Sequence, residues 1–333
     1  LFELDCAGNL LTSLDISSCP ALFTLNCSAN LLTSLDAGSF ASLCILDCSR
    51  NRLTALDVRH TALIELKCSW NQLAALDVSG LSDLESLYCG YNQYSVVDGN
   101  GSVSSSSVMT SLNVSGCSSL STLSCESNQI ASLDVSDCTA LTTLNCESNA
   151  LSEITGLSGC TELTELICGT NDLRSLDVSG ASYLTILDCA GNRISSLDTG
   201  DLSELTSLDC SRNSLTQLNV TGCTSLFSLN CYNNQLQNLD VSTCTALTSL
   251  NCERNSLTGL NTNIPAQLTE LYCKNNSLTE LDLSVCPKLQ YLDFSGNQLE
   301  TLNIRNLSDL LSVSCNNNAL DELDQTGCTS LST

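Results

Sequence analysis

Positive charge is scarce in this chain. Eleven Lys and Arg stand against 36 Asp and Glu, a formal net charge of −25 over 333 residues. A field of that sign repels phosphate backbones and anionic headgroups, which argues against nucleic acid and anionic lipid as partners. No apolar run approaches the ~20 residues of a membrane-spanning helix, so direct membrane insertion is not expected. Histidine occurs once, at His60, so a Ser/His or Cys/His catalytic centre would have a single candidate base. No Cys-x-x-Cys pair suggests structural zinc, and no Gly-rich phosphate loop suggests a nucleotide. An enzyme is therefore the poorest reading, and no cofactor is expected. The chain opens at Leu1 with no basic or signal-like segment, and both ends read as ordinary repeat sequence. Solenoids need polar caps, so these residues are expected to be part of a longer protein.

Cysteine is abundant, with 23 residues, and its spacing is periodic. Residues 22–42 read LFTLNCSANLLTSLDAGSFAS, and residues 247–267 read LTSLNCERNSLTGLNTNIPAQ, a period of 21. Fourteen rung cysteines run from Cys6 to Cys315, with Phe294 filling the remaining rung. Every one of the fifteen rungs has a leucine five residues before it and an asparagine three residues after it. Each unit carries one apolar stripe that it cannot bury alone, and stacking turns the stripes into a continuous core.

The unit LxxLxCxxNxL resembles the leucine-rich repeat, with Cys in place of its third aliphatic residue. The following LxxLDVSxC segment and the 21-residue period are most similar to the internalin branch. The resemblance covers the whole chain and implies one leucine-rich repeat domain over residues 1–333. The expected fold is a solenoid of about fifteen turns, α/β horseshoe in formal class but mostly β. It has a parallel sheet on the concave face and short 3₁₀ or extended segments on the convex side. The Leu-x-x-Leu-x-Cys segment reads as the strand, and a 21-residue unit leaves too little chain for a full helix on the return.

Columns of the repeat separate inside from outside. The Leu22, Leu25, Leu32 and Leu35 positions and the Cys27 column face inward, where a thiol acts as a small hydrophobe. In-register parallel side chains suit disulfide geometry poorly, and 23 is odd, so stacked free thiols are expected. A second cysteine column stands eight residues before the rung: Cys19, Cys117, Cys138, Cys160, Cys223, Cys244, Cys286 and Cys328. Phe40, Leu81, Ala181 and Leu202 substitute there, which marks it as inward too. His60 falls in the same column and reads as a tolerated half-buried substitution. Cys44 is off both columns and is expected to be exposed. The Asn column reads as a ladder of side-chain amides that satisfies backbone groups. Nine residues after most rungs comes Asp, as in Asp15, Asp57, Asp134 and Asp282, or Asn, as in Asn113, Asn219, Asn261 and Asn303. The alternatives are a cation-binding edge and an Asx turn, and exchange with neutral Asn favours the turn.

Strand positions −4, −3, −1, +1 and +2 from the rung are expected to face solvent on the concave side. Nine of the 13 aromatics fall there. An even spread would put about three at those positions, and exposed aromatics are disfavoured unless they touch something. One cluster is Trp70, Tyr88 and Tyr91 with Lys67 and Arg50. The other is Phe227, Tyr232, Tyr272 and Tyr291 with Arg212, Arg254 and Lys274. Residues 94–108, YSVVDGNGSVSSSSV, interrupt the repeat just after Tyr91 and read as a surface loop on the binding rim. The DGNG string lacks the following carboxylate of a calcium loop. The resemblance implies an adhesion or recognition module of a secreted or cell-surface bacterial protein that binds an extracellular protein. A glycan-binding surface and a structural spacer are the alternatives.

Overall fold

The computed structural model describes residues 1–97, 103–260 and 265–331. The DGNG string and Asn261 of the Asp/Asn column lie outside the described residues. The chain forms two compact units, Leu1–Leu173 and Arg174–Thr333. In the first, eight three-residue strands pair in parallel: Glu3–Asp5, Thr24–Asn26, Ile45–Asp47, Glu65–Lys67, Ser86–Tyr88, Thr122–Ser124, Thr143–Asn145 and Glu165–Ile167. In the second, seven do so: Ile186–Asp188, Ser207–Asp209, Ser228–Asn230, Ser249–Asn251, Glu270–Tyr272, Tyr291–Asp293 and Ser312–Ser314. Register follows the repeat, with Leu4 opposite Leu25 and Leu25 opposite Leu46.

Each strand alternates as a strand must. Leu25 and Cys27 are fully buried, while Thr24 and Asn26 between and beside them face out. The LxxLD segment forms the other wall, either as short parallel pairs such as Ser132–Asp134 with Glu153–Thr155 or as single bridges such as Asp36 with Asp57. The return is extended or turn, with one 3₁₀ segment at Leu157–Gly159 and no α-helix among the described residues. No described helix is long and apolar enough to cross a membrane. These are the features of a leucine-rich repeat solenoid.

Three columns hold the turns together. The asparagine amide is the first. Asn71 is buried; its Nδ2 donates to the carbonyl of its own rung, Cys68, at 3.1 Å and to that of the preceding rung, Cys48, at 3.0 Å. Its Oδ1 accepts the backbone N–H of Leu53 at 3.0 Å. Asn30, Asn51, Asn149 and Asn171 repeat this arrangement in the first unit, and Asn213, Asn234, Asn255, Asn276, Asn297 and Asn318 repeat it in the second.

The thiols are the second. The 23 cysteines form no disulfide, and the rungs are buried apart from Cys6 and Cys315. Burial pushes the Cys27, Cys68 and Cys231 thiols up to about 12. Phe294 occupies its rung fully buried. In the second cysteine column the thiol also donates backward, from Cys117 to the Val78 carbonyl at 3.3 Å and from Cys223 to that of Thr199 at 3.1 Å. That contact explains why Cys recurs where an aliphatic side chain would fill the space.

The Asx turn is the third. Asp15, Asp57, Asp77, Asp134, Asp177, Asp240, Asp282 and Asp324 each accept the N–H of the residue two further on, as do Asn113, Asn219 and Asn303. The column is therefore built of turns, and the shared geometry explains why neutral Asn replaces Asp freely.

Three expectations are corrected. His60 is exposed rather than half-buried, as a polar imidazole at the turn of Arg59 and His60 is left in water. The insert is not an irregular loop at its base: Gln93–Val97 pairs antiparallel with Val103–Ser107. Cys44 is half-buried rather than exposed.

Asn71→Ala takes the amide from the Cys68 carbonyl and the Leu53 N–H and leaves the Cys48 carbonyl with Asn51 alone, and urea denaturation is expected to show a loss of about 3 kcal/mol. Asn9→Ala, on an exposed member of the same column, is expected to lose under about 1 kcal/mol. Equal losses would sink the ladder as the source of stability. A raised thiol pKa lowers the thiolate fraction, so a disulfide reagent at about pH 8 is expected to label only exposed sites in the folded protein. Those are the five half-buried cysteines Cys6, Cys19, Cys44, Cys315 and Cys328, and rapid labelling of Cys68 or Cys125 would contradict their burial.

Candidate functional site

The position two residues after each rung has a property that composition hides. It is left-handed in every turn, from Gly8 at φ 66° and Ala29 at φ 52° to Gly296 at φ 67° and Asn317 at φ 56°. The chain must reverse between the rung carbonyl and the asparagine that returns to cap it, and one left-handed residue achieves this. Gly and Asn are the residues that tolerate this region, and they stand here at Gly8, Gly191, Gly296, Asn233, Asn275 and Asn317.

Trp70 and Tyr91 stand in the same column, at φ 60° and 57°. Bulky side chains are genuine outliers there. Their rings stack with centroids 4.4 Å apart and planes 3° from parallel. On the other side of the indole, the Arg50 guanidinium lies 5.7 Å from the ring centroid. Arg50, Trp70 and Tyr91 thus form one rib across three successive turns, and the indole is 47% exposed. Beside it, Lys67 Nζ lies 5.7 Å from the Tyr88 ring and 2.6 Å from Glu65 Oε1. That ion pair holds the Lys67 pKa above its usual value.

The hairpin closes one end of the rib. It leaves the turn two residues after Tyr91, and Ser107 Oγ on its returning arm donates to the Ser127 carbonyl at 3.2 Å. Ser127 is the next member of the left-handed column. The asparagine ladder adjusts here, with Asn128 Oδ1 accepting from Asn92 itself at 3.1 Å. Gly90 makes room for Glu126: a Cβ on that glycine would stand 2.7 Å from the Glu126 carboxyl carbon.

In the second unit the anticipated cluster is looser. Arg254 lies 5.7 Å from the Tyr232 ring centroid, but no ring–ring pair forms among Phe227, Tyr232, Tyr272 and Tyr291. Arg212 and Lys274 are exposed and touch none of these rings. Phe227 is exposed, as is Tyr291, while Tyr232 and Tyr272 are half-buried. The expected grouping of Trp70, Tyr91 and Arg50 is a contact, whereas that of the second group is mainly proximity along the column.

Two features are not evident from the sequence. One is the left-handed column, signalled by recurrent Gly and Asn. The other is a second Asx turn at position −1, where Asp47 accepts from the Ser49 N–H at 3.0 Å and Asp209 from that of Ser211 at 2.9 Å. Position −1 is thus mostly scaffold, except where Lys67, Tyr88, Ser124, Ile167, Tyr272 and Ser314 replace the Asx residue.

Comparison with known proteins agrees with this architecture. A family model described as leucine-rich repeats (2 copies) matches residues 266–310. The functional domain of InlJ from Listeria monocytogenes, which includes a cysteine ladder, is 32% identical, with a TM-score of 0.79 over 94% of this chain and 68% of InlJ's. An internalin (inlF) from the same species is 22% identical, TM-score 0.68, over 89% of this chain and 87% of that one. A leucine-rich repeat protein of Leptospira interrogans is 24% identical, TM-score 0.74, over 95% of this chain and 84% of that one. No curated protein matches by sequence. The fold and rung chemistry define a cysteine-laddered leucine-rich repeat protein, and the chain belongs to the internalin-like family of such proteins. Proteins of this type are scaffolds for protein–protein interaction.

If the rib is not needed for folding, Trp70→Asn should keep the unfolding free energy within about 1 kcal/mol of the parent, because relief of the left-handed strain offsets the lost stacking. Thr170→Gly, which removes a β-branched residue at φ 54°, should raise it by about 1 kcal/mol. Denaturation followed by circular dichroism tests both, and a collapse of Trp70→Asn would assign the rib to the scaffold.

Proposed function

We propose that this protein is a recognition or adhesion module of a secreted or cell-surface bacterial protein. It seats a protein partner on the solvent face of the main sheet. The first-unit group of Arg50, Trp70 and Tyr91 with Lys67 and Tyr88 is the anchor. Phe227, Tyr232, Tyr272, Tyr291, Arg212, Arg254 and Lys274 form a lesser contact area in the second unit. The extracellular setting comes from the family.

The observation that carries the reading is the energetic position of the rib. Two bulky left-handed residues cost about 2–4 kcal/mol together. One stacked pair and one exposed cation–π contact return about 1–2.5 kcal/mol. As scaffolding the rib ranges from about even to a net cost of about 3 kcal/mol, and Gly or Asn would serve the turn better. Exposed aromatic and Arg side chains in a compact group are the residues that dominate interfaces.

The test is binding of the purified protein to a panel of extracellular proteins and a glycan array, beside the double variant Trp70→Ala/Tyr91→Ala. The expected outcome is a protein ligand lost by the double variant at unchanged Tm. Undiminished binding would move the site to the second unit. Binding to glycans alone would replace the partner class.

A further inference from the structure

We propose that the rib recognises a carboxylate on an extended acidic segment of the protein partner, with Arg50 as its receptor; this rests on the rib being the binding anchor. The inference begins from what the rib still has free. Trp70 has Tyr91 on one face and the Arg50 guanidinium on the other. A ligand that stacks, such as a sugar ring or a free aromatic, finds no open indole face. What remains exposed is the edge of the stack, which is its electropositive part. The three side chains of the rib carry hydrogen-bond donors: the guanidinium fork, the indole N–H and the Tyr91 hydroxyl. Among the described residues neither the indole N–H nor the Tyr91 hydroxyl has a hydrogen-bond partner, and Arg50 pairs with no carboxylate.

Arg50 lacks an ion pair in a chain with 36 acidic residues. Its neighbours explain the vacancy. The two residues after the rung in the adjoining turns are Ser28 and Ala29 on one side, and Ser69 with Trp70 on the other. Ser49 precedes Arg50 itself, and Gly90 precedes Tyr91. Arg50 is thus the one charge along this edge, and the edge holds no acid until Glu126. Glu126 lies three turns away, roughly 14 Å at the spacing of parallel strands. Asp47, the nearest acid on the same turn, is committed to Ser49, accepting from its N–H at 3.0 Å and its Oγ–H at 2.6 Å. Three other basic side chains are paired locally: Arg59 with Asp57 at 2.9 Å, Lys67 with Glu65 at 2.6 Å and Arg305 with Asp324 at 3.4 Å.

A guanidinium held against an aromatic face keeps its fork pre-organised, and that fork matches a carboxylate in a bidentate pair. The indole N–H and the phenol then donate to successive carbonyls of the segment as it runs along the edge. The hairpin at the Tyr91 end sets where the segment stops. The acidic field of the rest of the protein sets register: an acidic segment is repelled elsewhere and accepted at this edge. That is specificity by repulsion as well as attraction.

The sole tryptophan of the chain is Trp70, so its fluorescence reports on the rib alone. Titration uses capped decapeptides of alternating Glu and Ser, Gln and Ser, and Lys and Ser, together with sialyllactose as an acidic sugar. The Glu peptide is expected to shift the emission saturably and to weaken with salt, with the Gln peptide and the Arg50→Gln variant each binding about tenfold more weakly. Equal binding of the Gln peptide, preference for the Lys peptide, saturation by sialyllactose alone, or no response to any probe at millimolar concentration would each overturn the assignment. Arg50→Gln is also tested against the partner found with the extracellular panel. Loss in Trp70→Ala/Tyr91→Ala with full retention in Arg50→Gln would keep the binding face and remove the carboxylate from it.

Discussion

The asparagine amide that bridges two successive rung carbonyls is the constraint on which the rest of this structure depends. Strands of three residues form few ladder bonds, and the rung carbonyl at the end of each would otherwise be buried without a donor. Asn supplies two donors and one acceptor from a single short side chain. Asp would lack the donors and bring a charge; Gln would overreach. The amide must return to within 3.1 Å of its own rung carbonyl in Asn71 and Asn51 alike. The intervening residues therefore have one route, with a left-handed residue in the middle. The column of positive φ is a consequence of the amide, and so is the direction in which its side chains project. Arg50, Trp70 and Tyr91 meet because three identical turns carry them to equivalent points on neighbouring strands.

Cysteine solves two separate problems in the same turn. In the rung it is a small apolar filler beside fully buried leucines, and burial keeps the thiol protonated and unreactive. In the second column its weak S–H donor reaches a carbonyl of the turn before, as Cys244 does to Val220 at 3.5 Å. Leu81 and Ala181 fill the latter space without that bond. The rung excludes all but Cys and, once, Phe294. That difference in stringency separates a packing requirement set by every neighbouring turn from a local supplement.

Much of this was legible in the sequence because a repeat reports each environment many times. Fifteen leucines and fifteen asparagines at fixed offsets are enough to specify the strand, its inward face and its turn. The Asx reading of the Asp column followed from exchange with Asn. Less legible was whatever occurs once. His60 sits in an inward column but is exposed, and a histidine that occurs once has no column of its own to show this. The paired arms of the insert lie in Ser-rich sequence with no hydrophobic alternation to announce them. Position −1 looked like open surface, although its Asp and Asn residues are mostly occupied in turns of their own.

The candidate site shows the same division. Column statistics brought out Trp70, Tyr91 and Arg50 as solvent-facing residues on adjacent turns. They could not reveal that the backbone beneath them is left-handed, which is what distinguishes the rib from ordinary cross-strand stacking. Phe2 and Phe23 also stack, at 4.9 Å and 7°, but each just precedes a strand and has no such backbone penalty. Aromatics on a β-surface are commonplace. Aromatics in a left-handed position, where the other turns carry Gly, Asn, Ala, Ser, Thr or Arg, require a reason outside the fold. Recognition is a reason that tolerates a local penalty, because strain of this kind collects where a surface must be held in one shape. The second unit has the aromatics and the arginines without the stack, so the argument for a pre-organised contact applies to the first unit and does not extend along the whole column.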